Sequence, residues 1–180
     1  MNKSEDITRK REVIAKKIRL IENGDAEAEA LAILDNYLLV HHKNKTPERS
    51  FILSLLYKLS LPADIETIHS YVENNYGHVS PTTVYYALQL FIEAGIARRV
   101  ELIENGPSFY EKTIGTVPHG YTVCSKCGAL RYISLEKMSG EIGRLPATGF
   151  RIVNVSLVLH GICRSCSKKV TKSAINKKKI

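Results

Sequence analysis

The N-terminal half of the chain shows apolar residues at the three- and four-residue spacing of amphipathic helices. The first such segment covers 4–24 and ends at an Asn-Gly pair, and the second, in 25–42, carries a stripe of leucines. A third opens with Thr46 as N-cap and Pro47 at the first helical position, and a fourth begins after Pro62. The pattern therefore predicts a largely helical N-terminal half.

The next segment, "VSPTTVYYALQLFIEAG", has the clearest helix signals. Ser80 is expected as N-cap, Pro81 lies in the first turn, and Gly95 stands where a helix end favours positive φ. At about 100° per residue the side chains divide into two faces. The apolar face holds Val84, Ala87, Leu88 and Phe91, and the opposite face holds Thr82, Tyr86, Gln89 and Glu93, with Tyr85 on the shoulder. Hydrogen-bonding groups thus occupy a face where lysine and glutamate would be ordinary.

A hairpin is predicted directly after this helix. The strand-like runs Ile96–Ile103 and Ser108–Lys112 flank Asn105-Gly106, a strong short-range turn signal. Helices followed by a two-stranded hairpin are the order of a winged helix-turn-helix, in which the third helix of the motif enters the major groove and the hairpin lies along the DNA backbone.

This arrangement identifies candidate DNA contacts. Candidates for base edges are Thr82, Thr83, Tyr86 and Gln89, and candidates for the backbone are Lys45, Arg49, Tyr85, Arg98 and Arg99. Taken singly, each arginine is more simply a solvated surface charge. The combination of helix order and hairpin favours the DNA-binding interpretation.

Beyond residue 114 the pattern changes to short strand-like runs around one helix. Val117-Pro118 and nearby glycines indicate a linker, and strands are expected at Tyr121–Cys124, Ala129–Ser134 and within 149–162, with a helix near Leu135–Leu145. The fold class is therefore α+β, an N-terminal winged helix-turn-helix domain with a small C-terminal α+β domain built on an antiparallel sheet. The expected boundaries are an extension over 1–25, a winged helix over 26–114, a hinge over 115–119, the second domain over 120–168 and a basic tail over 169–180.

Composition and charge narrow the function classes. The 180 residues are 44% hydrophobic, which excludes disorder for most of the chain. The formal charge of +8 lies mostly in the tail after Cys166, because 1–166 hold 20 basic against 18 acidic side chains. Such a tail contributes at most salt-sensitive, sequence-independent attraction to DNA. A charged N-terminus and the lack of a long apolar run predict a cytoplasmic protein without a membrane partner.

All four cysteines occur in two C-x-x-C pairs, Cys124/Cys127 and Cys163/Cys166, and Cys166 follows Cys127 by 39 positions. Two such turns can offer four thiolates to one tetrahedral zinc at about 2.3 Å. A thioredoxin-like redox role fits poorly, because the pairs lack a βαβ context. Four thiolates leave no open coordination position, so the zinc is expected to be structural.

The helix "SPTTVYYALQLFIEAG", the wing end "SFYEK" and the segments "HGYTVCSKCG" and "LVLHGICRSCSKK" resemble the ferric uptake regulator family over roughly 30–169. The resemblance implies a dimeric, metal-responsive transcription regulator, usually a repressor, whose C-terminal domain mediates dimerisation. It also implies that Tyr85 packs against DNA and that the four cysteines bind the structural zinc.

The family's regulatory metal site transfers incompletely. Glu111 in the wing and His119 in the hinge match ligand positions, but Tyr121 stands where relatives usually have a histidine. With two matching ligands the site would bind Fe²⁺, Zn²⁺ or Mn²⁺ weakly. Either His69, His78 or another group completes it, or metal sensing is weakened or lost, which we favour. The peroxide-sensing branch oxidises metal-bound histidines, and Tyr121 argues against that chemistry here.

The sequence thus predicts a dimeric, sequence-specific repressor that binds a double-stranded, nearly palindromic operator. Two alternatives remain. A zinc-dependent hydrolase or redox enzyme would need an open metal position or a base beside a nucleophile, and neither motif is present. A winged-helix module for protein interaction stays open, although the polar face of the 81–93 helix argues mildly against it.

Overall fold

The computed structural model describes residues 3–15, 24–144, 149 and 155–168. Its helices are α1 (Lys3–Ala15), α2 (Gly24–Val40), α3 (Pro47–Lys58), α4 (Ile65–Asn75), α5 (Pro81–Glu93) and α6 (Glu136–Gly143). Its strands are β1 (Ala63–Asp64), β2 (Ala97–Val100), β3 (Phe109–Lys112), β4 (His119–Cys124), β5 (Leu130–Ser134) and β6 (Val158–Gly161). No helix within these residues is long and apolar enough to cross a membrane.

The chain divides into two compact units at Val117. The winged-helix unit contains α2 to β3, and the C-terminal unit contains β4 to β6 together with α1. The first helix was expected as a separate extension reaching to residue 24. It is helical over Lys3–Ala15 and packs with the C-terminal unit, while 16–23 lie outside the described residues, as does the basic tail over 169–180.

Side-chain caps define the helix starts, as predicted. Thr46 accepts a hydrogen bond from the Arg49 backbone N–H at the start of α3, and Ser80 accepts one from the Thr83 N–H at 3.1 Å at the start of α5. Such caps satisfy N–H groups that have no partner inside the helix. Gly95 follows α5 with φ of +74°, which confirms the predicted helix end.

The core of the winged-helix unit is a single apolar cluster, to which all four of its helices contribute buried side chains. On α5 the predicted apolar face is buried, and Val84, Leu88 and Phe91 are fully inaccessible. Tyr57 on α3 is also fully buried, and its hydroxyl donates to the carbonyl of Ile96 at 2.8 Å. This bond ties α3 to the residue that precedes the wing, so the helices and the hairpin form one body.

The wing is a three-stranded antiparallel sheet in the order β1-β3-β2. Its ladder pairs Val100 with Phe109, so the hairpin opens earlier than the Asn-Gly turn alone predicts. Asn105 adopts φ of +54° within the longer loop, and Leu102 and Ile103 are buried. Because these two side chains pack inward, the chain after Val100 forms a loop and does not continue the β2–β3 ladder. The added β1 strand of two residues was not predicted.

The C-terminal sheet has the order β5-β4-β6 and is mixed. β4 pairs antiparallel with β5, but β6 runs parallel to β4, with Cys124 opposite Gly161. The expectation of an antiparallel sheet is therefore wrong for this strand. A parallel neighbour requires a crossover connection, and α6 lies between β5 and β6 in the chain. The α+β class with an N-terminal winged helix is confirmed.

Candidate metal centre and nucleic-acid interface

The parallel pairing of β4 and β6 brings the two cysteine pairs together. Parallel strands have their carboxyl ends at one edge of the sheet, and each C-x-x-C pair lies at that end of its strand. The four sulfurs lie within 4.8 Å of one another, and no other group of three or more His, Cys, Asp or Glu donors in the described residues is as well placed to hold an ion. None of the four cysteines forms a disulfide.

Hydrogen bonds prepare the cluster for negative charge. The Cys163 backbone N–H points at the Cys124 sulfur, 3.3 Å away. Burial raises the pKa of the Cys124 thiol, but N–H donors from Cys163, Cys127 and Lys126 outweigh it and hold the pKa at about 6. The neighbouring Cys163 and Cys127 sulfurs raise the pKa of Cys166 to about 12. Four thiolates therefore cannot coexist here without a cation among them.

The sulfur geometry fits one tetrahedral zinc ion. Thiolates at about 2.3 Å from a tetrahedral ion lie about 3.8 Å from each other. The sulfurs of Cys127 and Cys163 are 3.7 Å apart. Zinc bound by four thiolates has no open position for water, so this centre can stabilise the fold but cannot activate a nucleophile.

Helix α1 lies against the turn that carries the first cysteine pair. Gly128, with φ of +71°, directly follows Cys127, and a Cβ on it would lie 2.7 Å from the Lys10 Cα. The turn therefore needs glycine for its left-handed backbone and for the close approach of the helix. Ile14, at the end of α1, is fully buried. The N-terminal helix is thus part of the structure around the metal centre.

Helix α5, the predicted recognition helix, presents an aromatic and hydroxyl-bearing surface. Tyr86 is 64% exposed and Tyr85 is 43% exposed, with their rings 5.4 Å apart in an edge contact. Thr82 and Thr83 are exposed, and Gln89 is half-buried. All five predicted contacts on this helix therefore lie on or beside its solvent face.

The four predicted basic contacts differ in how far they are already engaged. Arg99 is 56% exposed, with only a long 3.9 Å approach to Glu101. Arg98 is 19% exposed, and its guanidinium donates to the carboxylate of Glu111. Lys45 pairs with Asp35 at 2.5 Å while remaining 62% exposed, and Arg49 donates to the Asn44 carbonyl. Of the two arginines in the wing, Arg99 is the better placed to reach a phosphate.

Comparison with known proteins identifies the family of this chain. A family model described as the ferric uptake regulator family matches residues 42–160. The chain belongs to the ferric uptake regulator family. The chain is 29% identical over 129 residues to the peroxide operon regulator of Bacillus subtilis, covering 69% of this chain and 84% of that regulator. It is 24% identical over 126 residues to the peroxide-responsive repressor of Staphylococcus aureus, covering 69% and 82%.

Solved structures of ferric uptake regulators share the fold. The Helicobacter pylori protein superposes with a TM-score of 0.66 at 15% identity, covering 83% of this chain and 97% of that one. The Vibrio cholerae protein superposes with a TM-score of 0.53 at 25% identity, covering 72% and 98%. Since this family consists of transcription regulators, the chain is a DNA-binding regulator and not an enzyme.

The two predicted regulatory ligands, Glu111 and His119, are engaged in other contacts. The Glu111 carboxylate pairs with Arg98 and is 8% exposed. The His119 ring contacts the Val117 carbonyl through Nδ1 at 2.8 Å and the Tyr121 hydroxyl through Nε2 at 3.1 Å. Both ring nitrogens of His119 therefore have hydrogen-bond partners. Tyr121, at the position where the resemblance led us to expect a histidine, supplies one of them.

Sequence reasoning about this regulator missed two features. The Arg98–Glu111 pair follows from the cross-strand register of the wing, which an exact hairpin alignment would have revealed. The contact of α1 with Gly128 places this helix in the C-terminal unit, beside the cysteine cluster. The glycine directly after a C-x-x-C pair was a signal for a left-handed turn, but nothing in the pattern indicated which segment would lie against it.

Proposed function

We propose that this regulator binds its operator as a dimeric, sequence-specific repressor through α5 and the wing. The observation that carries the proposal is the division of α5, whose apolar face is buried while Tyr85, Tyr86 and the threonines face solvent. A helix of this kind can enter the major groove and offer hydroxyl and amide groups to base edges. The names of the similar Staphylococcus and Bacillus proteins, a repressor and an operon regulator, support this role.

The operator is expected to be close to palindromic. A symmetric dimer presents two recognition helices, and their half-sites then lie about one helical turn or a multiple of it apart. The C-terminal unit, with its zinc centre, would hold the two copies together. As a regulator of transcription it would act beside the bacterial chromosome, in the cytoplasm.

We further propose that metal sensing at the wing and hinge is weakened in this protein. Glu111 is paired with Arg98, and His119 is hydrogen-bonded on both ring nitrogens, so a cation would have to break these contacts to bind. The missing histidine at Tyr121 leaves too few ligands to compensate. The same substitution removes a metal-bound histidine that peroxide could oxidise, despite the similarity to peroxide regulators.

The first experiment measures DNA binding on the region upstream of the gene by gel shift and footprinting. Gln89→Ala should reduce discrimination between operator and random DNA, because it removes an amide that reads bases. Arg99→Ala should weaken binding to both DNAs and lower the salt dependence. Equal loss on both DNAs from Gln89→Ala would count against α5 as the reading helix.

The second experiment tests the metal response. The zinc-loaded chain is titrated with Fe²⁺, Zn²⁺ and Mn²⁺ while its operator affinity is followed. We expect little change in the natural chain and a gain of metal dependence in Tyr121→His, because the substitution returns a donor beside His119. Strong metal-dependent DNA binding by the natural chain would overturn the weakened-site proposal while leaving the DNA-binding proposal intact.

A further inference from the structure

Two histidines and a glutamate meet at the turn before the recognition helix. His69 and Glu73 lie one helical turn apart on α4, and His78 lies in the turn that leads to α5. The Nδ1 atom of His69 is 3.7 Å from one carboxylate oxygen of Glu73, and the Nδ1 atom of His78 is 3.6 Å from the other. Both separations are too long for hydrogen bonds.

The contact on the far side of His69 fixes how its ring can act. The Nε2 atom of His69 lies 2.7 Å from the backbone carbonyl of Val79. A carbonyl only accepts, so Nε2 carries the proton and donates it. In the neutral ring Nδ1 then carries a lone pair and acts as an acceptor. It lies near the Glu73 carboxylate, which is also an acceptor. Two acceptors that face each other across 3.7 Å repel unless a proton, a water molecule or a cation lies between them.

We propose that His69, Glu73 and His78 bind a divalent transition-metal cation at the turn of the helix-turn-helix motif. Nitrogen and oxygen ligands about 2.1 Å from a tetrahedral ion lie about 3.4 Å apart, close to the two separations observed. Imidazole and carboxylate donors suit zinc, cobalt, iron or manganese. A metal-bound histidine typically donates its other ring N–H to a backbone carbonyl, and the His69–Val79 bond has this form.

The three groups differ in their freedom to move. The side chain of His69 is 15% exposed and held by Val79, whereas that of Glu73 is 44% exposed and that of His78 is 92% exposed. His69 and Glu73 form the preset part of the site. The exposed ring of His78 completes it by turning about its own side-chain bonds, since the three donors are not yet gathered about one point in the described residues.

The location gives the cation a role distinct from that of the four-cysteine zinc. Val79 is buried, and it directly precedes Ser80, the N-cap of α5. A cation held by α4 and by His78 would therefore fix the turn that sets the start of the recognition helix. Binding of the cation at this site does not depend on the proposed operator or on the ligands in the wing and hinge.

Cobalt titration of the full chain tests the site. One equivalent of zinc first fills the cysteine cluster, and the titration uses His119→Phe as background so that the hinge cannot contribute. A further equivalent of Co²⁺ should bind without the sulfur-to-cobalt charge-transfer absorption that marks thiolate ligands. His78→Ala and Glu73→Gln should each weaken this binding about tenfold or more. His78 is exposed, so its removal leaves the fold intact.

The matched control is His42→Asn, which removes an exposed histidine at φ of +51°, a conformation that asparagine tolerates. It should leave cobalt affinity unchanged. Cobalt should also slow amide exchange in the turn over 76–80 in the His119→Phe background, but not when His78→Ala is added. The proposal is overturned if the His119→Phe chain binds no further cobalt, or if His78→Ala and Glu73→Gln bind it as tightly.

Discussion

The two units of the chain are stabilised in different ways. The winged-helix unit encloses one continuous apolar cluster drawn from four helices and three strands. In the described part of the C-terminal unit, buried apolar side chains are few, namely Ile14, Tyr121, Val123, Cys124, Leu130 and Leu135. The same unit exposes Val117, Tyr132, Met138, Val155, Leu159 and Ile162. Small domains with little core usually need a metal, disulfides or a partner chain.

This difference indicates a division of tasks. The winged-helix unit, which we propose binds DNA, has a core of its own and can hold α5 rigidly. We expect the unit with the cysteine cluster to depend on zinc and on a dimer partner that covers its exposed apolar side chains. Loss of metal should therefore affect the second unit far more than the first.

Removal of the zinc should have the largest effect. Cys127→Ser leaves three thiolates, and structural zinc contributes about 10–16 kcal/mol to folding in small zinc domains. We expect zinc content to fall below one per chain and amide protection to disappear from β4 to β6 while α3 to α5 stay protected, as measured by hydrogen exchange. Ser125→Ala, which changes an exposed residue between the cysteines, should do neither. Retained protection of β4 to β6 in the metal-free chain would remove the contrast between the units.

Truncation of the winged-helix core should come next. Phe91 is fully buried, and Phe91→Ala should cost about 3–5 kcal/mol by leaving a cavity. In thermal denaturation we expect the winged-helix unit to melt earlier while zinc content stays the same. Tyr86→Ala on the exposed face of the same helix should change stability by about 0.5 kcal/mol or less. If Phe91→Ala also released zinc, the two units would not be independent.

A smaller effect is expected at the contact between α1 and the zinc turn. Gly128→Ala forces alanine into a left-handed conformation, which costs about 1–2 kcal/mol, and its Cβ would collide with the Lys10 backbone. Zinc transfer to a competing chelator should become faster. Gly140→Ala is the control, because that Cβ meets nothing within 4 Å in α6 and alanine favours a helix. Equal transfer rates for both variants would show that α1 adds nothing to zinc retention.

The smallest effect should follow from removal of the α5 cap. Ser80→Ala removes the acceptor for the Thr83 N–H and should cost about 1 kcal/mol in urea denaturation of the winged-helix unit. Ser80→Asn keeps a capping side chain and should retain most of the stability. The C-terminal unit should be unaffected by either change. A matching loss in both variants would mean that the serine acts through something other than its cap.

Local signals in the sequence were enough to predict most helices and their caps. Thr46, Ser80 and Gly95 act through contacts with residues close by in sequence, so their roles could be inferred without a fold. The burial of the apolar face of α5 followed from helical periodicity for the same reason. The cysteine cluster was also predictable, because two C-x-x-C turns allow few other chemical roles.

Features that depend on strand order and on distant contacts were missed. The parallel direction of β6 was missed, although the zinc hypothesis implied it. Two cysteine pairs that each lie at the carboxyl end of a strand can meet only if those strands run parallel. The pairing of Glu111 with Arg98 required the register of the wing. The engagement of His119 by Tyr121 required side-chain directions that no periodicity reports.

The packing of α1 beside Gly128 also bears on how the protein is made. Domains generally fold as units during synthesis, starting from the N-terminus. The ribosome makes α1 first, but the turn that receives it emerges only after the whole winged-helix unit has been synthesised. The first helix therefore cannot dock until the turn at Gly128 has been synthesised. We therefore expect docking of α1 to be a late step of folding, which follows synthesis of the first cysteine pair.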